Sequence, residues 1–360
     1  MTKHETKARN AIHEALDAAL QRALEQEALE GEMVLDIQKS RFIIFSDQHK
    51  GARNRADDFM VCERAYNAAL AYYNRLRYTL VVMGDAEELW EEWPEAVLKA
   101  YPHTLAVEGE FHRDGRYLRF WGNHDDDWSH SDLVEQWLRP ALGGNPINVR
   151  ETLIVHVREG SEELGRLFLV HGHQGTLDSD RIAPLSRFVV RYFWRPIQRI
   201  FQVSLNTPAK DFELRHRHDT ALYLWSQAQE KLVLIAGHTH RPVFKSEPHE
   251  EVIRKSLQEA EERSLKYPRS QKALERVAEL AAELEWVLAQ QRQSPVDLPM
   301  LEFKKPSYFN TGCCAFLDGD VTGLELSDGE IRLVRWPDDE EIPRPKVLAK
   351  AKLKDVFADS

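Results

Sequence analysis

Cysteine is nearly absent from this chain: Cys62, Cys313 and Cys314 are its three in 360 residues. An odd, low number excludes a disulfide framework and fits a reducing compartment. Cys313 and Cys314 are adjacent, and neighbours on a strand point to opposite faces. They therefore suit neither a shared metal nor a bond to each other. Long apolar runs are missing too. No window reaches the roughly 18 uninterrupted apolar residues of a membrane span. The first residues, Met1-Thr2-Lys3-His4-Glu5, lead into charge rather than into the apolar core of a signal peptide. A cytoplasmic location is the expectation. Positive charge is in deficit, 48 Lys and Arg against 59 Asp and Glu, for a net −11. That disfavours a global grip on nucleic acid or an anionic membrane and leaves only a local basic patch to act on either. There is no fixed-period repeat and no low-complexity tract. The remaining balance, 42% hydrophobic and 30% charged, is that of a soluble globular protein. The length suffices for one large domain with insertions.

Five short strings stand out: Ser46-Asp47-Gln48-His49, Gly84-Asp85, Gly122-Asn123-His124-Asp125, His171-Gly172-His173 and Gly237-His238-Thr239-His240. Each follows an apolar run: Arg41–Phe45, Thr79–Met83, Tyr117–Trp121, Leu167–Val170 and Leu232–Ala236. The runs read as buried strands, with helical stretches around 57–78 and 91–110 between the first three. Strands alternating with helices predict a largely parallel α/β sheet covered on both faces. Further strands are expected near 147–157 and 307–316. A hairpin is expected where Ser327-Asp328-Gly329-Glu330 separates two alternating runs. Together these predict a second sheet, hence a layered α/β sandwich. Residues 1–36 read as an N-terminal helical extension, with Ile12, Leu16, Leu20 and Leu24 forming one apolar stripe. Residues 37–336 form the main domain. It carries insertions at about 176–230 and at about 246–298, the second a charged helical hairpin broken at Tyr267-Pro268. The tail, 337–360, is rich in Pro, Lys, Asp and Glu and is expected to be poorly ordered.

A single Asp or His at a strand end is more often a turn former or a helix cap. Five such strings in series point instead to a site that holds two metal ions. Two divalent cations about 3.5–4 Å apart acidify a bridging water and clamp a phosphoryl group. Ions so close need a shared anionic ligand, and a carboxylate serves. Asp47 and His49 are two apart, as are His238 and His240, and in extended or loop backbone such pairs reach the same way. Asp85 follows a glycine at a strand end, where the chain can turn and aim a carboxylate into the crevice at the strands' carboxyl ends. Mixed His, Asp and Asn donors suit Mn first, and also Fe, Zn, Co or Ni.

The ordered pattern Asp-x-His, Gly-Asp, Gly-Asn-His-Asp, His, Gly-His-x-His resembles the calcineurin-like metallophosphoesterases over residues 46–240, with Asn310-Thr311-Gly312 as a further similar strand. The resemblance implies a four-layer α/β/β/α sandwich with helical insertions. It implies Asp47, His49 and His240 on a first metal, Asp85 as the bridge, and Asn123, His171 and His238 on a second. His124 is similar to the family histidine that contacts the phosphate and protonates the leaving oxygen, and Asp125 would then hold its ring. The implied activity is hydrolysis of a phosphomonoester or phosphodiester by a metal-bridging hydroxide. The chain departs from the family in carrying Glu88 where many members have Asp. His173, beside His171, is left as a substrate contact or a support to the ligands.

In the first insertion, Arg187, Arg191, Arg195 and Arg199 recur every four residues among aromatic and aliphatic side chains. They read either as a solvated basic face or as a lid in which Arg187, Arg191 and Arg195 bind phosphate. Such a lid resembles that of the UDP-2,3-diacylglucosamine pyrophosphatases, which makes a nucleotide-lipid pyrophosphate the alternative substrate and peripheral membrane contact through this basic aromatic segment an accompanying expectation. That branch usually reads Gly-Asn-Arg-Asp where this chain has His124, and it lacks the second insertion. A non-catalytic metal-binding scaffold of the same fold is the third reading. His216 and His218, two apart on an expected helix, read as surface residues, and the hairpin at 246–298 as a solvated or oligomer-forming element.

Overall fold

The computed structural model describes residues 3–55, 57–175, 212–266, 271–289, 305–338 and 341–360. The chain forms two seven-stranded mixed sheets with helices. The first sheet runs β1 (Met33–Asp36), β6 (Thr152–Glu159), β7 (Glu162–Val170), β8 (Leu232–Ala236), β11 (Tyr308–Asn310), β9 (Val243–Phe244) and β10 (Glu247–Pro248). The second runs β14 (Lys346–Lys352), β13 (Glu330–Trp336), β12 (Val321–Ser327), β2 (Phe42–Phe45), β3 (Thr79–Met83), β4 (Tyr117–Phe120) and β5 (Val149–Arg150).

Strands β2 to β5 are mutually parallel, as continuous apolar runs joined by helices dictate. The pair β12 and β13, turned at Asp328-Gly329, is antiparallel and extends that sheet through β2. In the first sheet, β7 and β8 are parallel, as are β8 and β11.

The core has three main parts. One cluster draws on both sheets, with Ile44, Val81 and Phe120 meeting Leu167, Leu169 and Ile235. A second joins the other face of the second sheet to Ala65, Tyr66, Leu70 and Tyr73 of the helix Glu63–Arg75. A third joins the first sheet to the helices Lys3–Glu30 and Phe212–Gln227. The N-terminal helix buries Ile12, Leu16, Ala19 and Ala23, while Leu20 and Leu24 are only partly covered. The segment that follows it, Met33–Asp36, is strand β1 at the edge of the first sheet.

The tail corrects the expectation of poor order. Lys346–Lys352 is the edge strand paired to β13, and the helix Leu353–Asp359 buries Leu353, Val356 and Phe357. Three apolar side chains at i, i+3 and i+4 outweigh a charged average composition. Helices His249–Lys266 and Gln271–Ala289, within the range expected as the second insertion, pack Ile253, Leu280 and Trp286 against Phe316. Residues 176–211 of the first insertion, with Arg187, Arg191 and Arg195, lie outside the described residues. Among the described residues, no helix is long and apolar enough to cross a membrane.

Candidate metal centre

Five loops converge at the carboxyl ends of β2, β3 and β4 of the second sheet and of β7 and β8 of the first. Hydrogen bonds continue past the strand ends and zip the loops together. Asp47 N–H donates to Gly84 O at 3.1 Å, His49 N–H to Asp85 O at 2.9 Å, and Gly237 N–H to His171 O at 2.8 Å. The backbone there is bent hard. Asp47, His49, Asp85, His238 and His240 all have positive φ, between 49° and 68°. Non-glycine residues seldom adopt that region, and such strain gathers where function holds it in place.

Ligand-type atoms of Asp47, His49 and His240 lie within 4.8 Å of one another, and so do those of Asp85, His171 and His238. A third group joins them, His49, Asp85 and His124, so Asp85 and His49 each stand in two of these three groups. His49 Nε2 and His240 Nε2 face each other at 3.1 Å. His171 donates Nδ1–H to Met83 O at 2.9 Å, which turns Nε2 inward to 3.0 Å from Asp85 Oδ2. Asn123 Oδ1 and His238 Nε2 are buried and accept no hydrogen bond. Buried polar atoms are normally partnered. Two orphans beside converging carboxylates and imidazoles therefore fit a pair of divalent cations with mixed N and O donors.

The electrostatics agree. Burial alone would raise Asp85, but His171 and His124 hold it well below the usual carboxylate range. Burial works against a charged His171 ring, yet Asp85 and Asp47 outweigh it and lift the ring to about 9. Burial drives His238 well down and His173 down to about 3. Without metal, protons on some histidines supply the positive charge that the two carboxylates require.

His124 Nδ1 lies 2.9 and 2.7 Å from the two Glu88 oxygens, and its ring stacks on Trp90 at 4.5 Å between centroids, 20° between planes. Glu88 also reaches His49 Nδ1 at 3.1 Å. The ring is thus held by Glu88, where the sequence reading assigns that task to Asp125. The Asp125 carboxylate instead accepts from the backbone N–H of Gly122, Asp85 and Ala86, at 2.6, 3.1 and 2.9 Å, and from Arg119 at 3.1 Å. Asp125 is thus taken up by one amide of its own turn and two of the 84–88 loop, and Glu88, from that same loop, is the carboxylate that reaches the His124 ring. Behind Asp125 lies a buried set of charges: Arg119 with Glu87, and Lys50 with Glu87 at 3.3 Å and Glu108 at 3.0 Å.

His173 is buried beside Trp121 (5.3 Å) and His171 (5.4 Å) and is in none of the close ligand groups. Trp93 is half exposed. His216 and His218 are not surface residues: both are over nine-tenths buried. His218 donates Nε2–H to Gly172 O at 2.6 Å. The helix that carries them also buries Ala221, Leu222, Tyr223 and Trp225, and a helix apolar on several faces is an interior one. That run was the available signal.

No family model matches the chain, and no curated protein matches it. A solved structure of a dimetal phosphatase from Danio rerio aligns over 86% of this chain and 99% of its own, at 11% identity and a TM-score of 0.34, a likeness too slight to bear on function.

Proposed function

We propose that this chain is a dinuclear metal-dependent phosphoric ester hydrolase with the α/β/β/α sandwich of the metallophosphoesterases. The observation that carries the reading is the convergence of Asp47, His49, Asp85, Asn123, His171, His238 and His240 from five strand ends, with buried donor atoms of Asn123 and His238 that no protein group meets. Asp47, His49 and His240 would hold one cation, Asn123, His171 and His238 the other, and Asp85 both. Bound there, two cations supply an acidified water and charge relief for a phosphoryl group.

The protein's own residues do the rest. The one backbone N–H of His238 is shared between the two Asp47 oxygens at 3.1 and 3.0 Å, and that of His124 donates to Asp85 Oδ1 at 2.8 Å. These bonds hold the carboxylates aimed inward. Glu88 fixes the His124 ring through Nδ1 and leaves Nε2 as the atom that gives a proton to the departing oxygen. His124 and His240 are partly exposed while Asp47, Asp85 and His171 are buried, so substrate approaches from the His124 side.

The test is an activity screen on metal-stripped protein reloaded with Mn, Zn, Fe, Co or Ni, against p-nitrophenyl phosphate, its bis-ester and a UDP-linked pyrophosphate. Hydrolysis that requires added metal is expected. Binding of two ions with no turnover of any of the three would favour the scaffold reading, and failure to bind metal would sink the proposal.

A further inference from the structure

We propose that His218 and Asp219, consecutive residues of the helix Phe212–Gln227, are positioning residues that pin the two histidine-bearing loops of the first sheet in ligand geometry. The inference rests on reading the site as a metal centre. Successive helical residues point about 100° apart, so one helix can serve two loops. His218 donates Nε2–H to the carbonyl of Gly172, the residue between His171 and His173, at 2.6 Å. Asp219 Oδ1 accepts from the hydroxyl of Thr239, the residue between His238 and His240, at 2.9 Å. Each contact falls at the middle of a motif, on an atom that is not itself a ligand.

The 237–240 loop needs holding from outside. His238 and His240 have φ +68° and +55°, a region non-glycine residues seldom adopt. Such backbone persists only where the surroundings over-determine it. Around Thr239 they do. Asp219 Oδ1 also accepts from Tyr308 Oη at 2.8 Å. Asn310 Nδ2 lies 2.7 Å from Gly237 O, 2.9 Å from Tyr308 Oη and 3.2 Å from Thr239 Oγ1. The two Nδ2 hydrogens are shared among these three acceptors, while the Thr239 and Tyr308 hydroxyls both give their protons to Asp219 Oδ1. Its second oxygen faces Arg241 at 3.6 Å. The whole ring is buried: Asp219, Thr239, Tyr308 and Asn310 are each at most 5% exposed. His218 adds ring contact with His238 at 5.2 Å between centroids. Outer partners of this kind typically tune metal affinity ten- to hundredfold.

The experiment compares the full-length protein with Asp219→Ala, Asp219→Asn, His218→Ala and His218→Gln by two readouts. One is amide hydrogen exchange in the metal-free chain. The other is Mn affinity by titration. Asp219→Ala should speed exchange at 237–240 and spare 171–173, His218→Ala should do the reverse, and each should weaken Mn binding about ten- to hundredfold. Asp219→Asn and His218→Gln keep a hydrogen-bonding atom in place and should recover most of the affinity. If Asp219→Ala does not fold, Thr239→Val removes the same bond from the loop side and carries the same expectation. Variants that exchange and bind like the parent, or that speed exchange uniformly across the domain, overturn the positioning role. A parent that binds no Mn but shows the loop-specific exchange pattern overturns the metal reading and leaves the positioning intact.

Discussion

Gly122 has no room for a methyl group. A Cβ there would run into the Asp85 carboxylate and lie 2.7 Å from the His171 ring. Gly84 is similarly confined: its φ is +85°, and a Cβ would sit 2.7 Å from His171 Nδ1. The glycines of two motifs are therefore the spaces into which the Asp85 and His171 side chains fit. Gly122→Ala should push Asp85 out of line and cut metal content well below two per chain, with circular dichroism unchanged; metal analysis of the purified variant checks it. Asp85→Asn should remove the shared charge and lose both ions by the same assay. His124 makes a different prediction, because its Nδ1 is taken by Glu88 and its ring is stacked on Trp90 and partly exposed. His124→Ala should keep its metal and lose about 10²–10⁴ in turnover, the size of a general-acid effect. Full activity in that variant would remove His124 from the chemistry.

At the scale of elements, the C-terminal strand and helix close the molecule far from the ligands. Phe357 is buried, and its ring occupies the space a Cβ on Gly165 would need. Gly165 lies six residues before His171 along β7 and its extension, roughly 20 Å at strand rise. Phe357→Ala should cost about 3–5 kcal/mol in a denaturant titration, the usual cost of emptying a buried phenylalanine site, with kcat unchanged at low temperature. A change in kcat without a change in stability would contradict that separation. The sequence exposes some elements more readily than others. The ligand loops are legible because each polar string interrupts an apolar run, which marks a strand end whatever lies across from it. The hairpin helices and the Asp328-Gly329 turn are legible through local period and turn chemistry. The partners of Asp125 and Glu88 are not, because they depend on how the 84–88 and 122–125 loops approach, which no spacing encodes. His218 was hidden by the opposite error: i and i+2 do not share a helix face, but a helix buried on several faces can use both.

On the scale of the whole molecule, three of the five candidate ligand loops come from one sheet and two from the other, so ions at the proposed site would tie the two sheets together. Ligands that bind only the folded state stabilise it by mass action, about 2.7 kcal/mol for each ion held at a hundredfold excess over its Kd. The unfolded chain cannot gather seven donors from positions 47 to 240, so little of that is lost to binding there. The melting temperature of chelator-stripped protein should therefore lie below that of the loaded form, and it should climb with added Mn rather than step. In a chain of 360 residues the shift per kcal/mol is small, under the 2–4 °C seen for domains of about 150–250 residues. The measurement is a set of thermal melts across a Mn series with Mg as the control for ionic strength. Asp85→Asn supplies the internal comparison, since a variant without the shared carboxylate should melt at one temperature throughout. Equal Mn dependence in both proteins would assign the stabilisation to surface carboxylates instead, which the net charge of −11 makes the natural competitor.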